Sequence, residues 1–249
     1  MNIDGFYNVI QACIHSYVKR LVYFSSIEAI DRDANPKSLD GTFQPAKEVR
    51  HSPYACSKAF GEELLGEMIK GGFDAVILNP TSIISPYDYK IGKAAQAALD
   101  ICRGRLPVLV DGRVDWVDAR DAAVAAMQAA LHAPPGSKFI LSGHQIRIQQ
   151  LAETLGKVYE VHIPGIYLPL GLVRMFMPLA TLYFNWMGKE PLITEVSLSA
   201  MEGNWKISHA RASQKLGYSP RSFEETIRDC IAWHEQVGYL PARNNDDDQ

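Results

Sequence analysis

Lys19-Arg20-Leu21-Val22-Tyr23-Phe24-Ser25-Ser26 is a short apolar run of β-forming residues that closes on two hydroxyls. It reads as a buried strand. In a parallel sheet, ligands bind beyond the carboxyl ends of the strands. Ser26 is therefore expected to present a hydrogen-bond donor at a ligand crevice, the alternative being that Ser25 and Ser26 only cap the strand or open a turn. A second such run, Asp74-Ala75-Val76-Ile77-Leu78-Asn79-Pro80-Thr81-Ser82-Ile83, follows Gly71-Gly72 and stops at Pro80, which cannot donate to a ladder.

Between these strands lies Ser52-Pro53-Tyr54-Ala55-Cys56-Ser57-Lys58. On a helix, Tyr54 and Lys58 share a face. A cation beside the phenol favours the phenolate, which makes a general acid/base for the oxygen of a carbinol or ketone. A bare pair at this spacing is more often two surface neighbours; the strand ends at Ser26 and Pro80 raise its weight. The helix is expected over 53–70, with Phe60, Leu64, Leu65 and Met68 towards the core and Gly71-Gly72 as its C-cap. Ahead of the first strand, residues 3–17 are helical by periodicity, with Phe6, Val9, Ile10 and Cys13 on one face.

Further along, Arg113-Val114-Asp115-Trp116-Val117-Asp118-Ala119-Arg120-Asp121 reads as a strand entering a helix with acids in its first turn. Asp115, Asp118 and Asp121 suit capping and a pair with Arg120 better than a metal site. His51 is read as a solvated loop histidine. A helix over 91–104, a strand over 138–143 and a short helix over 148–157 follow. Residues 163–188 are rich in Leu, Met, Phe, Tyr and Trp but are broken by Pro169, Arg174 and Pro178. That stretch is too interrupted for a comfortable membrane span and suits an apolar substrate lobe, a dimer surface or peripheral contact with a membrane. Amphipathic helices over 208–216 and 222–237 close the chain, with Gly217 as a C-cap, and a polar tail over 241–249 is expected to be disordered.

These pieces, in order, resemble the extended short-chain dehydrogenase/reductase (NAD-dependent epimerase/dehydratase) family. The strand ending Ser25-Ser26, Tyr54-xxx-Lys58, Asn79-Pro80, Trp116-Val117-Asp118-Ala119-Arg120-Asp121, Leu216-Gly217-Tyr218-Ser219-Pro220 and Ile231-Ala232-Trp233-His234 carry the resemblance. Within the family the chain is most similar to the dihydroflavonol-reductase-like and 3β-hydroxysteroid-dehydrogenase-like branches. The resemblance implies an α/β fold: a Rossmann-like doubly wound parallel sheet, N-terminally truncated, with a smaller, mostly helical substrate lobe. It implies a partial dinucleotide-binding domain over 1–145 and mainly substrate-binding structure over 146–240. It implies NAD or NADP as cofactor, catalysis by Ser26, Tyr54 and Lys58, and cofactor contacts from Asn2, Ser25, Tyr54, Lys58, Leu78, Asn79 and Pro80. A homodimer through the Tyr54 helix is common in the family.

No G-x-G-x-x-G or G-x-x-G-x-x-G occurs in the chain. The opening residues resemble the family's mid-domain helix, so roughly the first two βαβ steps are expected to be absent, leaving the Ser26 strand at an open edge. Full cofactor affinity is not expected of such a chain. Three readings of function follow. One is a nicotinamide-dependent reductase or dehydrogenase acting on a carbinol or ketone of an apolar, ring-bearing molecule. Another is a nucleotide-sugar epimerase or dehydratase, disfavoured because Met201-Glu202-Gly203-Asn204-Trp205-Lys206-Ile207 lacks the arginine of a diphosphate clamp. The last is a non-catalytic protein without a phosphate-binding loop. The net charge of −3 provides no basic field for nucleic acid. Four scattered cysteines, with no C-x-x-C and no opening signal peptide, fit a reduced, cytoplasmic protein rather than a disulfide framework or zinc site.

Overall fold

The computed structural model describes residues 2–30, 38–39, 52–163, 165–188, 198, 201 and 206–242. The chain forms two compact units interleaved in sequence. The first comprises Met1–Thr81, Ala119–Gly143 and Asn204–Pro220; the second comprises Ser82–Asp118, His144–Gly203 and Arg221–Gln249.

In the first unit, α1 (Asn2–His15), β1 (Leu21–Phe24), a 3₁₀ turn (Ile27–Ala29), β2 (Ser38–Leu39), α2 (Pro53–Lys70) and β3 (Ala75–Pro80) are followed by α4 (Ala119–His132) and β7 (Lys138–Leu141). The strands pair in the order β1-β3-β7, all parallel, with Phe24 opposite Leu78 and Leu78 opposite Phe139. Side chains on a strand alternate between faces. Leu21, Tyr23, Ala75 and Ile77 accordingly pack with Phe6 and Ile10 of α1 and with Leu64, Leu65 and Met68 of α2, while α4 lies against β1 and β3 with Ala122, Ala125 and Ala129 buried. Helices on both faces of a parallel sheet are the doubly wound arrangement expected from the sequence.

Every residue of β3 is buried, and the ladder runs past Pro80 to Thr81, whose N–H donates to the Leu141 carbonyl at 3.1 Å. Among the described residues β1 pairs only with β3, so it stands at the sheet edge, with Phe24 39% exposed. Arg20, at the opposite end of the strands from the serines, reaches Asp74 at 2.8 Å and the carbonyls of Ala129 and Ala130 at 3.3 and 2.9 Å. One guanidinium thereby joins the entries of two strands to the C-terminal end of α4, where the helix dipole favours a cation.

Two helix faces differ from the periodicity. Val9 and Phe60 are exposed rather than in the core. On α2, Gly61 lies closest to Tyr23: a Cβ there would stand 2.6 Å from the Tyr23 hydroxyl and would push the phenol aside. Phe60, one residue away, is turned aside by the helical rotation.

In the second unit, β4 (Ser82–Ile83), α3 (Lys93–Cys102), β5 (Leu109–Asp111) and β6 (Arg113–Val117) precede β8 (His144–Arg147), α5 (Ile148–Tyr159), β9 (Tyr167–Pro169) and α6 (Leu170–Trp186). In order β4-β6-β8, the first pair is parallel and the second antiparallel; β5 and β9 form a separate parallel pair. The chain then returns to the first unit as β10 (Lys206–Ile207), parallel to β2, and α7 (Ala210–Leu216), closed by Gly217 at φ 63° as expected. It ends in the second unit with α8 (Phe223–Gln236). Leu99, Ile101, Trp116, Leu151, Leu155, Ile227 and Ile231 form the core of this unit.

Asp118, expected beside Arg120, has the Arg221 guanidinium at 3.6 Å, and no metal-binding cluster of His, Cys, Asp and Glu occurs among the described residues. No described helix is long and apolar enough to cross a membrane. His51, residues 202–205 and most of the 27–52 connection and of the 241–249 tail lie outside the described residues.

His234 of α8 is fully buried; its Nδ1 lies 3.8 Å from the Cys230 sulfur and its Nε2 has no partner among the described residues. Burial pushes its pKa down, opposed by Asp88 and helped by Arg103. The unfolded chain thus binds a proton that the folded chain refuses, so this histidine lowers stability as pH falls below its ordinary range near 6.5. In urea unfolding between about pH 7 and pH 5, His234→Phe is expected to flatten the acid limb of the stability curve. An acid limb unchanged in slope counts against the assignment.

Candidate active site

All of the expected site residues belong to the first unit. Ser52 and Pro53 begin α2 by a local rule: the Ser52 hydroxyl accepts from the Ala55 N–H at 3.1 Å, and proline occupies the first turn, where its missing N–H is harmless. Tyr54 consequently stands in the first turn of the helix, 44% exposed and open to a reactant. One turn later, Lys58 is half-buried.

The Lys58 ammonium donates to the Phe24 carbonyl at 2.8 Å, which ties α2 to the last residue of β1. It lies 5.3 Å from the centre of the Tyr23 ring and 5.9 Å from that of Tyr54. A cation at these distances is attracted to both π-faces. Burial pushes the lysine pKa down, and the charge of Glu62 opposes that shift. Tyr23 is pushed up to about 12 by burial, then by Glu62 and by Tyr54, and so stays a neutral phenol at working pH.

Ser25 and Ser26 leave the end of β1 and are both buried. The Ser26 hydroxyl accepts from the Glu28 N–H at 3.2 Å and caps the 3₁₀ turn. The capping alternative therefore holds for Ser26. Accepting a hydrogen bond leaves its own proton to donate, so capping and a role towards substrate are compatible. The Ser26 carbonyl is held from the neighbouring strand by Asn79 Nδ2 at 2.9 Å.

That asparagine side chain is wholly buried and also donates to Glu62 Oε1 at 2.6 Å; Glu62 Oε2 takes Lys138 Nζ at 2.9 Å. Leu78 and Pro80 are buried in β3 on either side of Asn79. The structure thus brings Ser25, Ser26 and Lys58 to the end of β1 and links Ser26 to Asn79. Asn2 begins α1, and its side chain lies outside the described residues. Glu62 was missed by sequence reading. Its signal is the spacing Tyr54-xxx-Lys58-xxx-Glu62, which continues a single helical stripe from the exposed end of α2 into the core.

Two buried atoms at these strand ends have no partner among the described residues: Ser25 Oγ and Asn79 Oδ1. An unmet buried polar atom costs about 1–3 kcal/mol, so both suit a ligand that brings hydrogen-bonding groups to the strand ends. The amide-bearing, diol-bearing half of a nicotinamide nucleotide has that chemistry.

Comparison with known proteins shows the family. The model of the NAD dependent epimerase/dehydratase family matches residues 1–141. The chain belongs to the NAD dependent epimerase/dehydratase family. It is 26% identical over 245 residues to a putative dihydroflavonol 4-reductase of Synechocystis sp., covering 96% of this chain and 71% of that protein. It is 24% identical to sterol demethylase protein B of Methylococcus capsulatus, over 96% and 74% of the two chains. It is 25% identical to mouse 3 beta-hydroxysteroid dehydrogenase type 7, over 94% and 70%.

Among solved structures, gox2253 superposes with a TM-score of 0.80 at 26% identity, over 96% of this chain and 73% of the other. UDP-glucuronic acid 4-epimerase from Bacillus cereus in complex with NAD superposes at 0.71 with 15% identity, over 96% and 68%, and shares the fold. As a member of the epimerase/dehydratase family with these relatives, the chain is an NAD(P)-dependent oxidoreductase of the extended short-chain type.

Asn79→Leu removes the donor that serves both Glu62 and the Ser26 carbonyl, although the latter keeps the Ala29 N–H at 3.1 Å. The substitution is expected to cost about 1–3 kcal/mol, read as a drop in the denaturation midpoint. An unchanged midpoint would mean that the buried amide contributes nothing to the fold.

Proposed function

We propose that this chain interconverts a carbinol and a ketone on an apolar, ring-bearing substrate through Ser26, Tyr54 and Lys58. The observation that carries the reading is the Lys58 ammonium, fixed to the Phe24 carbonyl and lying near the Tyr54 ring, at the strand end from which Ser26 emerges. In the oxidising direction, the Tyr54 phenolate takes the carbinol proton; in reduction, the phenol returns it to the new alkoxide oxygen. The positive charge of Lys58 stabilises the phenolate, and the Ser26 hydroxyl donates to the same substrate oxygen and orients it. Tyr23, held neutral, does not compete as a base. When bound, the nicotinamide supplies or accepts the hydride. Lys58, Ser25, Leu78, Asn79 and Pro80 are the residues that would hold that end of the cofactor, with Asn2, at the start of α1, as a further candidate.

The apolar character of the substrate is supported by the relatives, which are named for dihydroflavonol and sterol chemistry. It is supported also by α6, whose Leu172, Met175, Phe176, Leu179 and Leu182 form an exposed apolar stripe that ends at Trp186. The same stripe is the candidate surface for a lipid interface. Exposed Phe60, on the helix that carries Tyr54, is the candidate contact for a homodimer. The four cysteines, none of them in a disulfide among the described residues, fit a cytoplasmic location.

The test is turnover of a 3β-hydroxysterol and a dihydroflavonol, with NAD(H) and NADP(H), beside a UDP-sugar as control. Oxidation or reduction of an apolar substrate, with Tyr54→Phe lowering kcat by roughly 10²–10⁴-fold at unchanged melting temperature, is the expected result. Full activity in Tyr54→Phe removes the proposed acid/base. Exclusive turnover of the sugar nucleotide replaces the reading with epimerase or dehydratase chemistry.

A further inference from the structure

We propose, building on the roles of Ser26, Tyr54 and Lys58 above, that Glu62 is the positioning residue of this site: its buried carboxylate holds the Ser26 strand end through Asn79 and keeps the Lys58 ammonium in place by charge.

Glu62 is 3% exposed, an unusual burial for a carboxylate, which is almost never fully buried unless it is paired. Its surroundings account for both oxygens. Oε1 accepts from Asn79 Nδ2 at 2.6 Å and Oε2 from Lys138 Nζ at 2.9 Å. The Asn79 amide then spans to the Ser26 carbonyl at 2.9 Å. Three elements of the first unit, α2, β3 and β7, therefore converge on one carboxylate, and the residue they jointly fix is the serine at the end of β1.

The second line of argument is charge. Tyr54, Lys58 and Glu62 follow one another at i, i+4 and i+8 along α2, so each lies one turn from the next on the same face. Lys58 is taken partly out of water, which favours its neutral form, and Glu62 is the charge that acts against this. The groups around the ammonium are the Phe24 carbonyl and the Tyr23 ring from β1, the Tyr54 ring one turn before it on α2, and Glu62 one turn after it. Neither tyrosine supplies a negative charge while protonated. Without Glu62 the lysine would surrender its proton more readily, and a neutral lysine does nothing for a phenolate. Lys138, from β7, pairs with the same carboxylate at 2.9 Å and tempers its effect on Lys58.

The test reads Lys58 directly. In protein carrying isotope-labelled lysine, with the Lys58 resonance assigned through Lys58→Arg, the titration of Lys58 is followed by NMR in wild type, Glu62→Gln and Lys138→Met. Thermal unfolding is recorded for each variant. Glu62→Gln keeps the shape of the side chain and its acceptor for Asn79, so the expected result is a folded protein in which Lys58 loses its proton at lower pH. Lys138→Met leaves the carboxylate with one cation fewer, so Lys58 is expected to titrate at higher pH. General damage to a buried network would not move the two variants in opposite directions.

An unchanged Lys58 titration in folded Glu62→Gln overturns the proposal. If that variant does not fold, an unchanged or lowered titration in Lys138→Met overturns it instead. On an active substrate, kcat of Glu62→Gln should lose its alkaline limb earlier, falling about tenfold for each unit above the new Lys58 titration point. These readouts separate the two claims: a fully active Tyr54→Phe defeats the acid/base assignment, while the Lys58 titration still decides whether Glu62 acts on it.

Discussion

A carboxylate cannot be carried into the layer between a helix and a sheet unless donors meet it there. Much of the first unit near its site can be understood from that constraint. Glu62 sits on the buried face of α2 and is met by an amide from the middle strand and an ammonium from the next. Removing one partner from such a pair typically leaves an uncompensated charge, which is strongly destabilising. The arrangement therefore constrains the position of α2 relative to β3 and β7 more tightly than apolar packing, which tolerates sliding, would do alone. With α2 so placed, Lys58 reaches the Phe24 carbonyl and Tyr54 remains exposed at the helix start.

The contact between helix and sheet is also a matter of size. Tyr23 is a large residue facing α2, and Gly61, which presents no side chain, leaves room for its hydroxyl. The phenol is enclosed there, and burial first and the Glu62 charge second keep it neutral even with the Lys58 ammonium 5.3 Å from its ring. Two tyrosines thus flank one lysine with unequal prospects. Tyr54 is exposed and can meet a reactant, whereas Tyr23 is enclosed and held in its protonated form. The difference comes from position in the fold, since both carry the same functional group.

The second unit is assembled on different principles. Its core is mainly aliphatic, with Trp116 and a buried histidine, His234, one of whose ring nitrogens has no partner among the described residues. The exposed stripe of α6 contrasts with that closed core. Several large apolar side chains on one helix face are uncommon on the surface of a soluble monomer.

The class of fold and the family were legible in the sequence alone. Period-two and continuous apolar runs marked β1, β3 and β7. Ser52-Pro53 marked the start of α2, Gly217 the end of α7, and the spacing of Tyr54 and Lys58 a shared face, because each of these signals is local: a cap, a turn or a single helical period. Burial of Phe60 and Val9 was misread for the same reason, since helical periodicity names a face but not which neighbour will press on it; on α2 it is Gly61, next to Phe60, that lies close to Tyr23. Glu62 was illegible as a functional residue because a glutamate on a helix is ordinarily a solvated charge. Only the tertiary structure, by bringing Asn79 and Lys138 from two distant strands onto its oxygens, turned it into a buried anchor. The partners of Ser26 and Asp118 were settled in the same way, by contacts between elements far apart in the chain, which no local pattern encodes.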